Sequence, residues 1–155
     1  MGDRFGKNKT KAQSGKKARS VDNMPTRDVA EDLKKVVFSF KYLDFSQCPP
    51  GQTFNEWQSE GLLDDFAKVL SEISDKTIDA AKADKSIELY GEFPSLSDFK
   101  VPDKLDPNLN WGTIRKIGGQ KPRVAGFFRD NIFYVVFMDM EHKFSKSTKT
   151  NKTKK

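Results

Sequence analysis

Between residues 35 and 43 apolar and polar positions alternate. Phe38, Phe40 and Tyr42 are separated by Ser39 and Lys41, the period of two that marks a strand with one buried face. Cys48-Pro49-Pro50-Gly51 reads as a turn, and after it the period changes. Phe54, Trp57, Leu62, Leu63, Phe66, Val69, Leu70 and Ile73 recur at i, i+3 and i+4, predicting one amphipathic helix opened by a Thr53/Glu56 capping box. A shorter helix is predicted over residues 76–85. Residues 92–110 contain Pro94, Pro102 and Pro107 and read as an ordered loop. Next come a candidate strand at 111–117, a Gly118-Gly119 turn, and a hairpin of 123–128 and 132–138 around Arg129-Asp130-Asn131. The unbroken apolar run at 132–138 predicts a central strand covered on both faces. The expected fold is α+β: a mainly antiparallel sheet with two N-terminal helices packed on one face, in the order strand, helix, helix, three strands.

Composition changes this picture mainly at the ends. The chain has 155 residues, a length for one domain, and a mean hydropathy of −0.72 despite thirteen Phe. Its net charge of +6 is a sum of opposed parts. Residues 1–20 carry seven Lys or Arg against Asp3 alone, and residues 145–155 carry five Lys and no acid. The stretch between holds 16 basic and 21 acidic side chains. Both ends have too few apolar residues to offset the entropy of ordering, so 1–25 and 145–155 are expected to be disordered basic tails around a single domain at 26–144. Lysine tails attract phosphate without sequence preference; they also keep a protein in solution. No signal-peptide core or membrane-length apolar run is visible, and Cys48 has no second cysteine to pair with. A cytoplasmic protein without membrane partners is expected.

Chemistry concentrates near the C-terminal end. Residues 54–92 hold ten acids and four lysines, whereas residues 111–129 hold Arg115, Lys116, Lys121, Arg123 and Arg129 with no acid. With Trp111, Phe127 and Phe128 nearby, this run offers phosphate contacts and stacking surfaces for unpaired bases. The alternative is an exposed sheet edge protected by charge. His142 is the single histidine and follows the last strand, so cations before the hairpin fall near it. A histidine beside arginine has the parts for RNA cleavage: a proton carrier and charges that stabilise a pentavalent phosphate. That chemistry needs no metal or cofactor. Metal binding by Asp139, Glu141 and His142 is the weaker alternative, because their spacing matches no ligand motif.

The segment from Trp111-Gly112-Thr113-Ile114-Arg115 through Pro122-Arg123-Val124-Ala125-Gly126 to Glu141-His142-Lys143-Phe144 resembles the C-terminal half of RelE/YoeB-superfamily toxins. The resemblance implies a small α+β ribonuclease that cleaves mRNA, commonly on the ribosome, by attack of the 2′-hydroxyl on the adjacent phosphate, and that an antitoxin protein restrains. It casts Arg123 as the phosphate-stabilising arginine, His142 as acid or base, Arg115 as an RNA-contacting cation and Phe144 as the terminal aromatic. Glu92 is the nearest carboxylate for a general base. Trp111, Lys116, Lys121 and Arg129 complete the expected RNA-binding set. The alternative function is a noncatalytic RNA- or protein-binding accessory domain.

Overall fold

The computed structural model describes residues 30–146; both expected tails otherwise lie outside the described residues. The chain divides after Leu33. Of the first unit only 30–33 is described, with a helical turn at 30–32. The second unit carries everything that follows.

Its elements are β1 (Val37–Ser39), α1 (Phe54–Ser59), α2 (Leu62–Ile73), α3 (Ile78–Ala83), β2 (Ile87–Gly91), β3 (Asn110–Ile114), β4 (Arg123–Arg129) and β5 (Ile132–Asp139). The strands form one sheet in the order β1-β5-β4-β3-β2. The expected α+β class holds, and the finer topology needs three corrections. The sheet is mixed, because β1 runs parallel to β5 while the other pairings are antiparallel. Four strands follow the helices, β2 being the addition. The long helix is two, because Gly61 adopts a left-handed φ of 73° between α1 and α2, a conformation glycine enters without steric cost.

Local signals explain the helices. Thr53 Oγ1 accepts from the Glu56 amide at 3.3 Å, and Glu56 Oε1 accepts from the Thr53 amide at 3.2 Å, completing the capping box. Leu62, Phe66, Val69 and Ile73 of α2 are buried, one stripe of a 3.6-residue period. Thr77 caps α3 by accepting from the Ala80 amide.

The helices cover one face of the sheet, where Trp57, Phe66 and Ile73 pack with Ile87, Ile114, Val124, Phe133, Val135 and Met138. Among the described residues no helix covers the other face. There the loop between β2 and β3 supplies Phe93, Phe99, Val101, Leu105 and Leu109, which pack with Trp111, Phe127, Val136, Phe137 and Phe144. The two aromatics after β1 separate instead of sharing a face: Phe40 meets Phe54 and Phe66 on the helix side, and Tyr42 meets Phe127 and Tyr134 on the loop side. β5 lies between β1 and β4 with both faces covered, as its continuous apolar run predicts.

Two bulges interrupt the ladders. In β5, Ala125 pairs with Phe137 while Gly126 pairs with Val135, leaving Val136 unpaired. In β2, Leu89 pairs with Gly112 while Gly91 pairs with Trp111, leaving Tyr90 unpaired. Beside the first bulge β4 and β5 approach closely: a Cβ on Gly126 would sit 2.0 Å from the Tyr134 carbonyl oxygen. Gly126→Ala is expected to lower stability by about 3 kcal/mol, the upper range for overpacking, read as a lower urea midpoint with an unchanged slope.

Candidate functional site

Antiparallel pairing brings several strand ends together. Ile114, the last residue of β3, is opposite both Ile87 near the start of β2 and Val124 near the start of β4, and Arg123 is opposite Asp139 at the end of β5. Residues at these ends and just beyond them enclose a recess of about 530 Å³ lined by Lys85, Arg115, Lys116, Gly119, Gln120, Arg123 and His142. Four cations and the single histidine share it, and no carboxylate lines it. Lys85, Lys116 and His142 have φ of 65°, 65° and 58°. Left-handed backbone costs a non-glycine residue about 1 kcal/mol or more and clusters where geometry serves a site.

Arg123 is the most constrained member. It is 5% exposed, and its Nη1 donates to the carbonyls of Gln120 and Pro122. Its Nε is buried and has no hydrogen-bond partner. Burial, then the charge of Arg115, pushes its pKa down. A buried cation without a paired counterion is costly, so this guanidinium is primed to receive an anion from the recess.

Asp139 gives partial compensation. It is fully buried, and its two carboxylate oxygens accept from the amides of Lys143 and Phe144 at 2.9 and 2.8 Å. Burial raises its pKa against those hydrogen bonds. Holding these amides fixes the turn that carries His142. Burial, then Arg123, lowers the His142 pKa below 6.5, and Asp139 opposes the shift. Lys121 pairs with Glu141 at 2.6 Å, joining the 115–122 loop to the same turn. The Asp139 oxygens accept from amides and Glu141 pairs with Lys121; among the described residues no group of three His, Cys, Asp or Glu side chains is arranged to hold a metal.

Glu88, on β2 beside the recess, has Oε2 3.6 Å from Arg115 Nη1 and acts electrostatically on both Arg123 and His142. The Tyr90 hydroxyl is 3.4 Å from Glu88 Oε2 and 3.2 Å from Thr113 Oγ1. The alternation Ile87-Glu88-Leu89-Tyr90 is the sequence signal for the strand that carries both residues.

Of the expected site residues, Arg115, Lys116, Arg123 and His142 line one recess, and Lys121 pairs with Glu141, next to His142 in the chain. Four others do not join them. Glu92 lies past the far end of β2, in a separate recess with Tyr90 and Phe93, and is not among the residues that line the His142 recess. Trp111 and Phe144 have no exposed surface: Trp111 Nε1 donates to the Asp106 carbonyl at 3.1 Å, and Phe144 packs against Trp111, Phe93 and Phe99. They are core residues and offer no face to a base; the buried Phe127 and Phe128 are excluded as stacking platforms on the same ground. Arg129 ends β4 at the hairpin, roughly 20 Å from Arg123 along the strand.

A larger recess of about 810 Å³ between residues 41–50 and 98–105 mixes Lys41, Lys100 and Lys104 with Asp44, Asp98 and Asp103. Its balanced charge and lack of a histidine distinguish it from the cationic site. Compared with protein-family models, with curated proteins and with solved structures, the chain finds no match.

The single histidine makes one titration unambiguous by NMR. His142 is expected to titrate below 6.5 in the free protein, and inorganic phosphate, by offsetting Arg123, is expected to raise that value; a free midpoint at or above 6.5 contradicts the burial. Because the folded chain binds this proton less tightly than the unfolded one, His142 removes stability as pH falls from 6.5 toward its folded value. Replacing Asp139 by Ala leaves two buried amides unpaired and Arg123 uncompensated. A loss of about 3 kcal/mol in urea unfolding is expected, with a smaller loss for Asp139→Asn, which keeps one acceptor.

Proposed function

We propose that this protein is a metal-independent endoribonuclease of the RelE/YoeB toxin type, acting on mRNA and restrained by a protein partner. The observation that carries the reading is the buried Arg123 guanidinium, with its unpartnered Nε, in a recess shared by three other cations and the only histidine. A phosphodiester supplies the counter-charge that recess lacks. The cationic lining repels a divalent metal and suits the dianionic phosphorane of 2′-hydroxyl attack.

In this mechanism Glu88 takes the 2′-hydroxyl proton as O2′ bonds to phosphorus. The P–O5′ bond breaks, and protonated His142 donates to the departing 5′-oxygen, leaving a 2′,3′-cyclic phosphate and a 5′-hydroxyl. Arg123 and Arg115 bear the charge that develops on the nonbridging oxygens. The phosphate's own charge opposes the depression of the His142 pKa, so substrate favours the acid form that the free protein disfavours. Asp139 positions the histidine through the 143–144 amides.

Expression of the wild type is expected to arrest growth and fragment cellular RNA, and the Arg123→Ala/His142→Ala double variant to do neither. Equal effects from both proteins would refute the enzyme. RNA binding retained by both without cleavage would identify the noncatalytic binding domain instead. In vitro, the rate should fall on the alkaline side as His142 loses the proton it donates. Glu88→Gln, which removes the proposed proton acceptor, should cost about a hundredfold or more in rate.

A further inference from the structure

The recess that contains Glu92 lies along β2 from the cationic site. Tyr90, Glu92, Phe93, Leu96, Ser145 and Lys146 contribute to its walls, and it encloses about 290 Å³. Tyr90 joins the two sites: the Tyr90 wall of this recess is 3.4 Å through its hydroxyl from Glu88, which is 3.6 Å from Arg115. Glu88 and Glu92 are roughly 12 Å apart along the strand, so one short stretch of single-stranded chain reaches both.

The walls combine two features that a phosphate site does not need. Tyr90, Phe93 and Pro94 present half-buried apolar surface, and Leu96 is 58% exposed on the rim, a large apolar side chain left open to water. Lys146 is neutralised by Asp98 at 2.5 Å. The Glu92 carboxylate is exposed and has no hydrogen bond or ion pair among the described residues. Apolar and aromatic surface with an unengaged acceptor suits a planar, hydrogen-bonding ring more than an anion.

Resting on the ribonuclease reading, we propose that this recess is a nucleobase subsite beside the scissile phosphate, and that Glu92 selects bases bearing an exocyclic amine over uracil. Phosphate contacts are blind to sequence, and base contacts carry the discrimination. An ionised carboxylate only accepts hydrogen bonds. Adenine, cytosine and guanine carry an exocyclic amine that can donate to it, whereas uracil offers only its N3–H, flanked by two carbonyl oxygens that repel a carboxylate. Glu92, outside the recess that holds His142, is thereby a specificity-determining residue.

The test maps cleavage positions in a mixed-sequence RNA for the wild-type protein, Glu92→Gln and Arg123→Ala. Glu92 is exposed, so the variant is expected to keep the wild-type thermal midpoint. Wild type should disfavour uracil at one position flanking the cut. Glu92→Gln, whose amide both donates and accepts, should relax that bias about fivefold or more, whereas Arg123→Ala should reduce cleavage at every sequence alike. Cleavage by wild type with the same base preference in Glu92→Gln overturns the subsite and leaves the ribonuclease standing. Failure of wild type to bind or cut the RNA overturns both.

Discussion

Val136 is the extra residue of a bulge in β5, and it changes which way the end of that strand faces. Up to Val135 the side chains alternate, with Phe133 and Val135 toward the helices and Tyr134 toward the loop layer. Past the bulge, Val136 and Phe137 both face the loop layer, Met138 returns to the helices, and Asp139 lands on the loop side opposite Arg123. Unbroken alternation would turn Asp139 toward the helix-side core and separate it from Arg123. One unpaired residue in this interior strand therefore sets the charge relationship at the site. The close approach at Gly126 is the cost on the neighbouring strand, where no side chain fits beneath the Tyr134 carbonyl. Bulges recur beside active sites for this reason: they re-aim a side chain without dissolving the sheet.

The two layers over the sheet behave differently. On the helix side, amphipathic stripes seal the sheet continuously. On the loop side the cover is an aromatic plug of Phe93, Phe99 and Phe144 around Trp111 and Phe137. Where that plug stops, the strand ends are left open, and the recess forms there. Asp139 sits at this boundary, its carboxylate holding the amide of the buried Phe144 as well as the turn that presents His142. Packing of the plug and placement of the histidine are thus mechanically linked through one buried side chain.

The electrostatics follow from that geometry. Arg123 is buried deeply enough to feel the loss of water, yet Asp139 is committed to backbone amides, so its charge is balanced at a distance rather than through a direct pair. His142 feels the same burial and the same cation, which together favour its neutral form. Lys85, Lys116 and His142 hold left-handed backbone around this centre, a local expense that packing elsewhere in the fold has to offset.

Much of the fold was legible in the sequence because period and capping are local. The α2 stripe, the Thr53/Glu56 box, the hairpin and the doubly covered β5 all follow from residues within a few positions of one another. The gathering of Arg115, Lys116 and Arg123 with His142 was also legible, since an antiparallel hairpin necessarily returns the end of its second strand to the start of its first. What tertiary structure alone decided is non-local. The parallel pairing of β1 depends on a crossover, and the break at Gly61 depends on how α1 and α2 must turn to cover one face. Whether Trp111 and Phe144 are surface or core depends on a loop that arrives from residues 92–109. Parity decided the carboxylates: a bulge shifts every later side chain, and of Glu88 and Glu92, close in sequence, the first stands beside the cationic recess at Arg115 while the second lines a separate recess past the end of β2. Residue type specified which charges were present; only the register of distant strands could decide which of them met.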